Sequence, residues 1–264
     1  MTEPSFQVAA PRSTPVANPL FEYLLRLGDD RLVLGHRLSE WCGHGPVLEQ
    51  DIALTNVALD LIGQARGYYQ MAAAWRADGS TEDDLAYRRD THQFGNHLLV
   101  ELPNGHWGDT LARQFFFDAY NFFLLEQLAK SPVEEISALA QKAYKEVSYH
   151  AQFSAEWIIR LGDGTDESHA KIQASVNRLW AYTGELFEDT DLDRRLDGAV
   201  PLPSMLRADW LQKMREVFAL ATLELPDPNA YMQKGGLHGR HTEHLGYILA
   251  EMQYLPRAYP DAKW

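Results

Sequence analysis

Asp118 and His150 occupy positions where an amphipathic helix calls for apolar side chains. Over residues 108–130, Leu111, Phe115, Asp118, Phe122 and Leu125 recur at steps of 4, 3, 4 and 3, which puts a carboxylate in the core-facing stripe. Around "KEVSYHAQFS" (145–154), Leu139, Ala143, Val147, His150, Ser154 and Trp157 share one face, which turns the imidazole inward. Two earlier helices repeat the pattern, one with Val33, Arg37 and Glu40, the other with Asn56, Asp60, Gly63, Gln64 and Gly67. Taken singly, a buried acid or histidine is more often a hydrogen-bonded core residue than a ligand. Taken together, one such group per helix is the layout of a carboxylate-bridged two-metal bundle, built from a Glu on each of two helices and a Glu-x-x-His on each of the other two. The set is incomplete. The second helix has no histidine, and His150 has Val147 in place of the acid three residues upstream. Glu146 lies four residues before His150, but Val147 fits the apolar stripe better, so Glu146 is expected to lean toward solvent or a neighbouring helix. Gln64 offers only an amide, a poor iron ligand beside carboxylate and imidazole.

The elements that must position these groups are almost all helical. Order is expected from residue 19, after a loose arm (1–18) holding Pro4, Pro11 and Pro15; residues 19–264 read as a single domain. A first helix carries Leu20, Tyr23, Leu24 and Leu27, meets a candidate break at "GDD", and resumes from Leu32 to Cys42. "GHGP" ends it, and a second runs over about 47–77 with Ile52, Leu59 and Ile62 expected inside. A long mixed connection over about 76–106 follows, of the length a crossover between parallel helices needs. The third and fourth helices are expected at 108–130 and from Pro132 to the "GDG" stop at 162–164. A fifth follows with Thr165 as N-cap, and two more near 207–223 and 242–254. The fold class is therefore all-α, a four-helix bundle with a long crossover between its second and third helices and additional C-terminal helices. Apolar positions on both sides of the third helix suggest that it also faces a partner.

Composition narrows the function. With 37 acidic against 24 basic residues the formal charge is -13, which opposes a broad phosphate-binding surface, so no nucleic acid partner is expected. A lone Cys42 excludes an internal disulfide, no signal peptide is evident, and "FFFDAYNFFLL" is too short and too polar to span a bilayer. The chain reads as cytoplasmic, with no membrane segment.

Longer strings carry a family resemblance. "LGHRLSEWCGHGPVLEQDIALTNVALDLIGQAR", "KEVSYHAQFSAEWIIRLGDGTDESH", "LWAYTGELF" and "GRHTEHLGYILAEMQYLPRAYP" extend from about residue 28 to the C-terminus. They resemble the phenylacetyl-CoA epoxidase family, a multicomponent bacterial monooxygenase of phenylacetate breakdown, and within it the structural C-type subunits. The resemblance implies a ferritin-like bundle. Compared with the family's catalytic A-type subunit, which carries the diiron ligands, the helix-one glutamate falls on Glu40, the helix-three acid on Asp118 and the helix-four histidine on His150. The second-helix motif Asp-Glu-x-Gly-His meets "DLIGQ", so Leu61 and Gln64 replace its glutamate and histidine. Lys-Glu-Glu-x-x-His meets "KEVSYH", so Val147 replaces its second glutamate. The resemblance thus implies no catalytic residue, no metal and no cofactor in this chain. Glu40, Asp118, Gln64 and His150 would be left to satisfy one another, with protonated His150 or Arg37 supplying positive charge.

The implied role is a non-catalytic subunit that supports the diiron subunit and its acyl-CoA site, as a heteromer of heterodimers with the catalytic A-type subunit and further subunits including a reductase. A homodimer of the isolated chain stays open. The alternative is a self-sufficient ferritin-like diiron or dimanganese oxidase using Glu40, Asp60, Asp118, Glu146 and His150. Metal content and unaided activity separate the two. "HGRHTEH" places His238, His241 and His244 at three-residue steps beside Glu243, a spacing that suits either a metal site or, as the blander reading, a polar interface. The pairs Arg88 and Arg89, and Arg194 and Arg195, are candidates for an acyl-CoA phosphate or plain solvated charge.

Overall fold

Four long helices form the frame of the computed structural model, which describes residues 18–260 and 262. In chain order the helices are α1 (Pro19–Ser39), α2 (Leu48–Arg76), α3 (Glu82–Tyr87), α4 (Leu98–Glu101), α5 (Trp107–Leu128) and α6 (Glu134–Gly162). They are followed by α7 (Asp166–Trp180), α8 (Asp191–Arg195), α9 (Arg207–Leu220), α10 (Glu243–Met252) and α11 (Tyr254–Ala258). Among the described residues there is no strand, only one isolated bridge between Asp197 and Val200. Among them, too, no helix is long and apolar enough to cross a membrane. The expected arm (1–18) falls almost wholly outside the described residues.

Local chemistry sets the helix ends. Asn18 accepts the Leu20 N–H at 3.0 Å ahead of Pro19, a residue whose fixed φ suits a first helical position. Thr165 caps α7 through Ser168, as its sequence position predicts. The "GDD" segment does not break α1. The helix runs through it because both aspartates are buried and compensated from other elements: Asp29 by Tyr69, Arg89 and the Gly95 N–H, Asp30 by His97.

The α1–α2 and α5–α6 hairpins pack together through α2 and α6, and the crossover spans residues 77–106. This is the all-α, ferritin-like arrangement with additional C-terminal helices. Most of the second apolar face of α5 is buried within the fold. This chain covers it with its own α7 and α9, through Phe116 against Trp180, Trp210 and Phe218. On α2 the departure from expectation runs the other way. Ile52 and Leu59 point outward, at 52% and 61% exposure, while Leu54, Leu61 and Tyr68 point in. Apolar residues surround much of this helix, so periodicity alone does not separate its faces.

Buried carboxylates hold the crossover in place. Glu101 accepts from Asn96 (2.9 Å), the Thr242 N–H (2.6 Å) and His241 (2.8 Å), tying α4 to the segment entering α10. Glu185 accepts the N–H groups of Leu98 and Gly235, both at 2.8 Å. A buried carboxylate is tolerable only with such partners.

Candidate functional site

Asp118, His150, Asp60 and Gln64 lie between α2, α5 and α6, at the middle of the bundle. Asp118 is buried and accepts from Gln114 Nε2 at 2.7 Å, one turn back on α5, while its Oδ2 has no partner. Burial raises its carboxyl to about 6 against the opposing pull of His150. His150 is fully buried; its Nε2 meets Asp60 Oδ2 at 3.0 Å and its Nδ1 is unpartnered. Gln64 Nε2 donates to Glu146 Oε2 at 2.9 Å. Glu146 therefore leans on the neighbouring helix, one of the two outcomes expected for it. The i, i+4 spacings of Asp60 with Gln64 and of Glu146 with His150 make two hydrogen-bonded rungs across the α2–α6 seam.

Glu40 is not part of this centre. It is the residue after the last turn of α1, largely exposed, and it accepts from Arg37 at 2.8 Å and Asn104 at 3.0 Å. Arg37 spends its remaining donors on the Glu101 carbonyl oxygen. The expected mutual network of Glu40, Asp118, Gln64 and His150 is thus replaced by four separate pairings, and Arg37 serves only that of Glu40. The physical reason is position: α1 passes α5 with Arg31 beside Asn121 and the chain after it with Trp41 beside Thr110, so Glu40 lies beyond the level of Asp118.

A pair of iron ions does not fit these donors. Leu61 and Val147, both at 0% exposure, put apolar side chains into the core next to Asp60 and Glu146, and Gln64 presents an amide already committed to Glu146. Among the described residues no three His, Cys, Asp or Glu side chains are grouped so as to hold a metal ion.

The other candidates disperse. His238 faces Glu188 at 3.4 Å and His241 faces Glu101, while His244 gives only its backbone N–H to Thr242, so the three imidazoles do not converge. Arg88 pairs with Asp84, Arg89 with buried Asp29, Arg194 with Asp191 and Arg195 with Glu22. Sequence reasoning misses Asp29, Asp30, Glu101 and Glu185; the signal available is an acid inside or beside an apolar stripe, as at "GDD".

A cleft of about 140 Å³ opens beside the centre, between α2 and α6, with Gly63 and Gly67 on one wall and Gln64, Tyr68 and Glu146 around it. It is too small for an acyl-CoA, since drug-sized ligands alone take ~300 Å³ or more.

Comparison with known proteins agrees with the fold. The sequence matches the model of the family described as "Phenylacetic acid catabolic protein" over residues 7–264. It is 49% identical over 249 residues to the C subunit of 1,2-phenylacetyl-CoA epoxidase from Escherichia coli (strain K12), an alignment that covers 94% of this chain and 100% of that relative. With the match spanning nearly the whole chain, this protein belongs to the phenylacetic acid catabolic protein family.

Proposed function

We propose that this chain is the non-catalytic, C-type component of a multi-subunit enzyme that epoxidises the aromatic ring of phenylacetyl-CoA. In that assembly a catalytic subunit supplies the diiron centre and a reductase brings electrons from NADPH. The observation that carries this reading is the packing of Leu61 and Val147 into ligand rows whose remaining members are separately paired. The full-length similarity to the C subunit of the Escherichia coli enzyme supports it. The contribution of this chain is then mechanical. Its α5 is clamped against α7 and α9 by the aromatic cluster of Phe116, Trp180, Trp210 and Phe218, while α2 and α6 present exposed Leu48, Ile52, Leu59 and Tyr149 to a neighbour.

The test is purification of the chain after expression with ample iron, with and without the catalytic subunit, followed by elemental analysis, sizing and turnover. The expected result is far less than one iron per chain, no epoxidation alone, and co-elution with the catalytic subunit. Two irons per chain together with unaided turnover would overturn the proposal in favour of a self-sufficient oxidase.

A further inference from the structure

The α2–α6 cleft carries acceptors with nothing to accept. Gln64, 8% exposed, and Tyr68, 1% exposed, both line it, and both Gln64 Oε1 and Tyr68 Oη are buried without a hydrogen-bond partner. Native proteins match most such atoms, so these two are open to a donor that enters the cleft. Two carboxylates stand at the same opening. Asp60 and Glu146 each spend one oxygen on a cross-helix bond, to His150 and Gln64, and keep the other. Lys142 sits on the rim and, among the described residues, makes no ion pair with either acid. The wall at Gly63 is open: a Cβ added there would meet nothing within 4 Å. Leu59 lines the opening, and it shares exposure of more than half with Ile52 on α2 and Tyr149 on α6.

We infer that this cleft receives a basic side chain, arginine or lysine, projecting from an apolar helix face of the partner subunit. The inference rests on the partnership proposed above. Charge complementarity selects the occupant. Two carboxylates and an amide oxygen converge on a gap sized for one cationic head group, on a chain whose formal charge is -13. The surrounding apolar side chains would exclude water from the pair, the setting in which a single interfacial charge counts most.

The experiment measures affinity for the catalytic subunit of the same epoxidase, by biolayer interferometry at low and high salt, for wild type, for Asp60→Asn with Glu146→Gln, and for Gly63→Leu. Melting curves establish that each variant is folded. The expected result is at least ~10-fold weaker binding for the amide double variant with a flatter salt dependence, and a comparable loss for Gly63→Leu, which plugs the gap. Loss with Gly63→Leu alone would place the partner on this face without a basic side chain and overturn the inference. So would unchanged affinity in both variants; in either case the partnership itself would survive. Absence of any complex with wild type would instead overturn the partnership, and the inference with it.

Discussion

Replacing Asp118 with asparagine should make this protein more stable at neutral pH. Burial raises the carboxyl from an ordinary 3.8 to about 6, because Asp118 is 1% exposed and the opposing pull of His150, Ser154 and Gln114 offsets that only in part. A pH unit of such displacement corresponds to ~1.4 kcal/mol, so the ionised carboxylate above pH 6 costs the folded state about 3 kcal/mol relative to the unfolded chain. The sign follows from proton counting. Between the unfolded and folded values the native state binds more protons, so stability falls as pH rises through that window and levels off above it. The amide keeps the shape and can still accept from Gln114, but it carries no charge to bury. Allowing for rearranged hydrogen bonds, Asp118→Asn should gain ~2 kcal/mol at pH 7 and close to nothing at pH 4. Urea unfolding of both proteins across pH 4 to 8 reads this directly. A variant that is less stable than wild type at pH 7, or whose difference from wild type does not vary with pH, would refute the account of Asp118 as a buried, poorly compensated acid.

Other consequences can be measured in the same way. Asp29→Asn should cost ~3–5 kcal/mol in urea unfolding, because Arg89 would be left buried without its carboxylate; a loss below ~1 kcal/mol would contradict that role. His241 donates from Nδ1 to Glu101 and from Nε2 to the Phe94 carbonyl oxygen, so the ring must be protonated to make both contacts. Burial alone would lower His97 and His241, and Asp30 and Glu101 more than reverse it, so both titrate above 6.5. Their stabilising contribution is complete below that ordinary value and is lost as pH rises through the raised ones. Hydrogen exchange should therefore show α10 opening on the alkaline side, and in His241→Phe this pH dependence should shrink. Gly162→Ala should cost ~1–3 kcal/mol in thermal melting, because the added methyl would press into the backbone of Ala221 after α9.

The bundle is legible because its long helices place apolar residues at helical spacing, and on α5 and α6 the odd polar member of the inward face marks the centre. Asp118 and His150 are where their spacing puts them. Glu40 is not, because spacing gives the face of a helix and not the height at which it meets its neighbour, and α1 has passed Asp118 before it reaches Glu40. The outward Ile52 and Leu59 escape for a different reason: a helix apolar on several sides gives no preferred phase. Least legible are the acids that fasten the crossover. Asp29 meets a guanidinium 60 residues away and Asp30 an imidazole 67 residues away, and no local rule couples such positions. The aromatic run of the third helix is doubly apolar, as its sequence says, but whether another chain or this one covers the far side depends on where α7 and α9 return, which periodicity does not encode.

Glu101 has a history as well as a location. A ribosome releases α4 long before His241, 140 residues downstream, can emerge to meet it. Until then that carboxylate has Asn96 but neither His241 nor the Thr242 N–H. Polypeptides cut short before residue 241 would therefore display an unfinished flank to proteases.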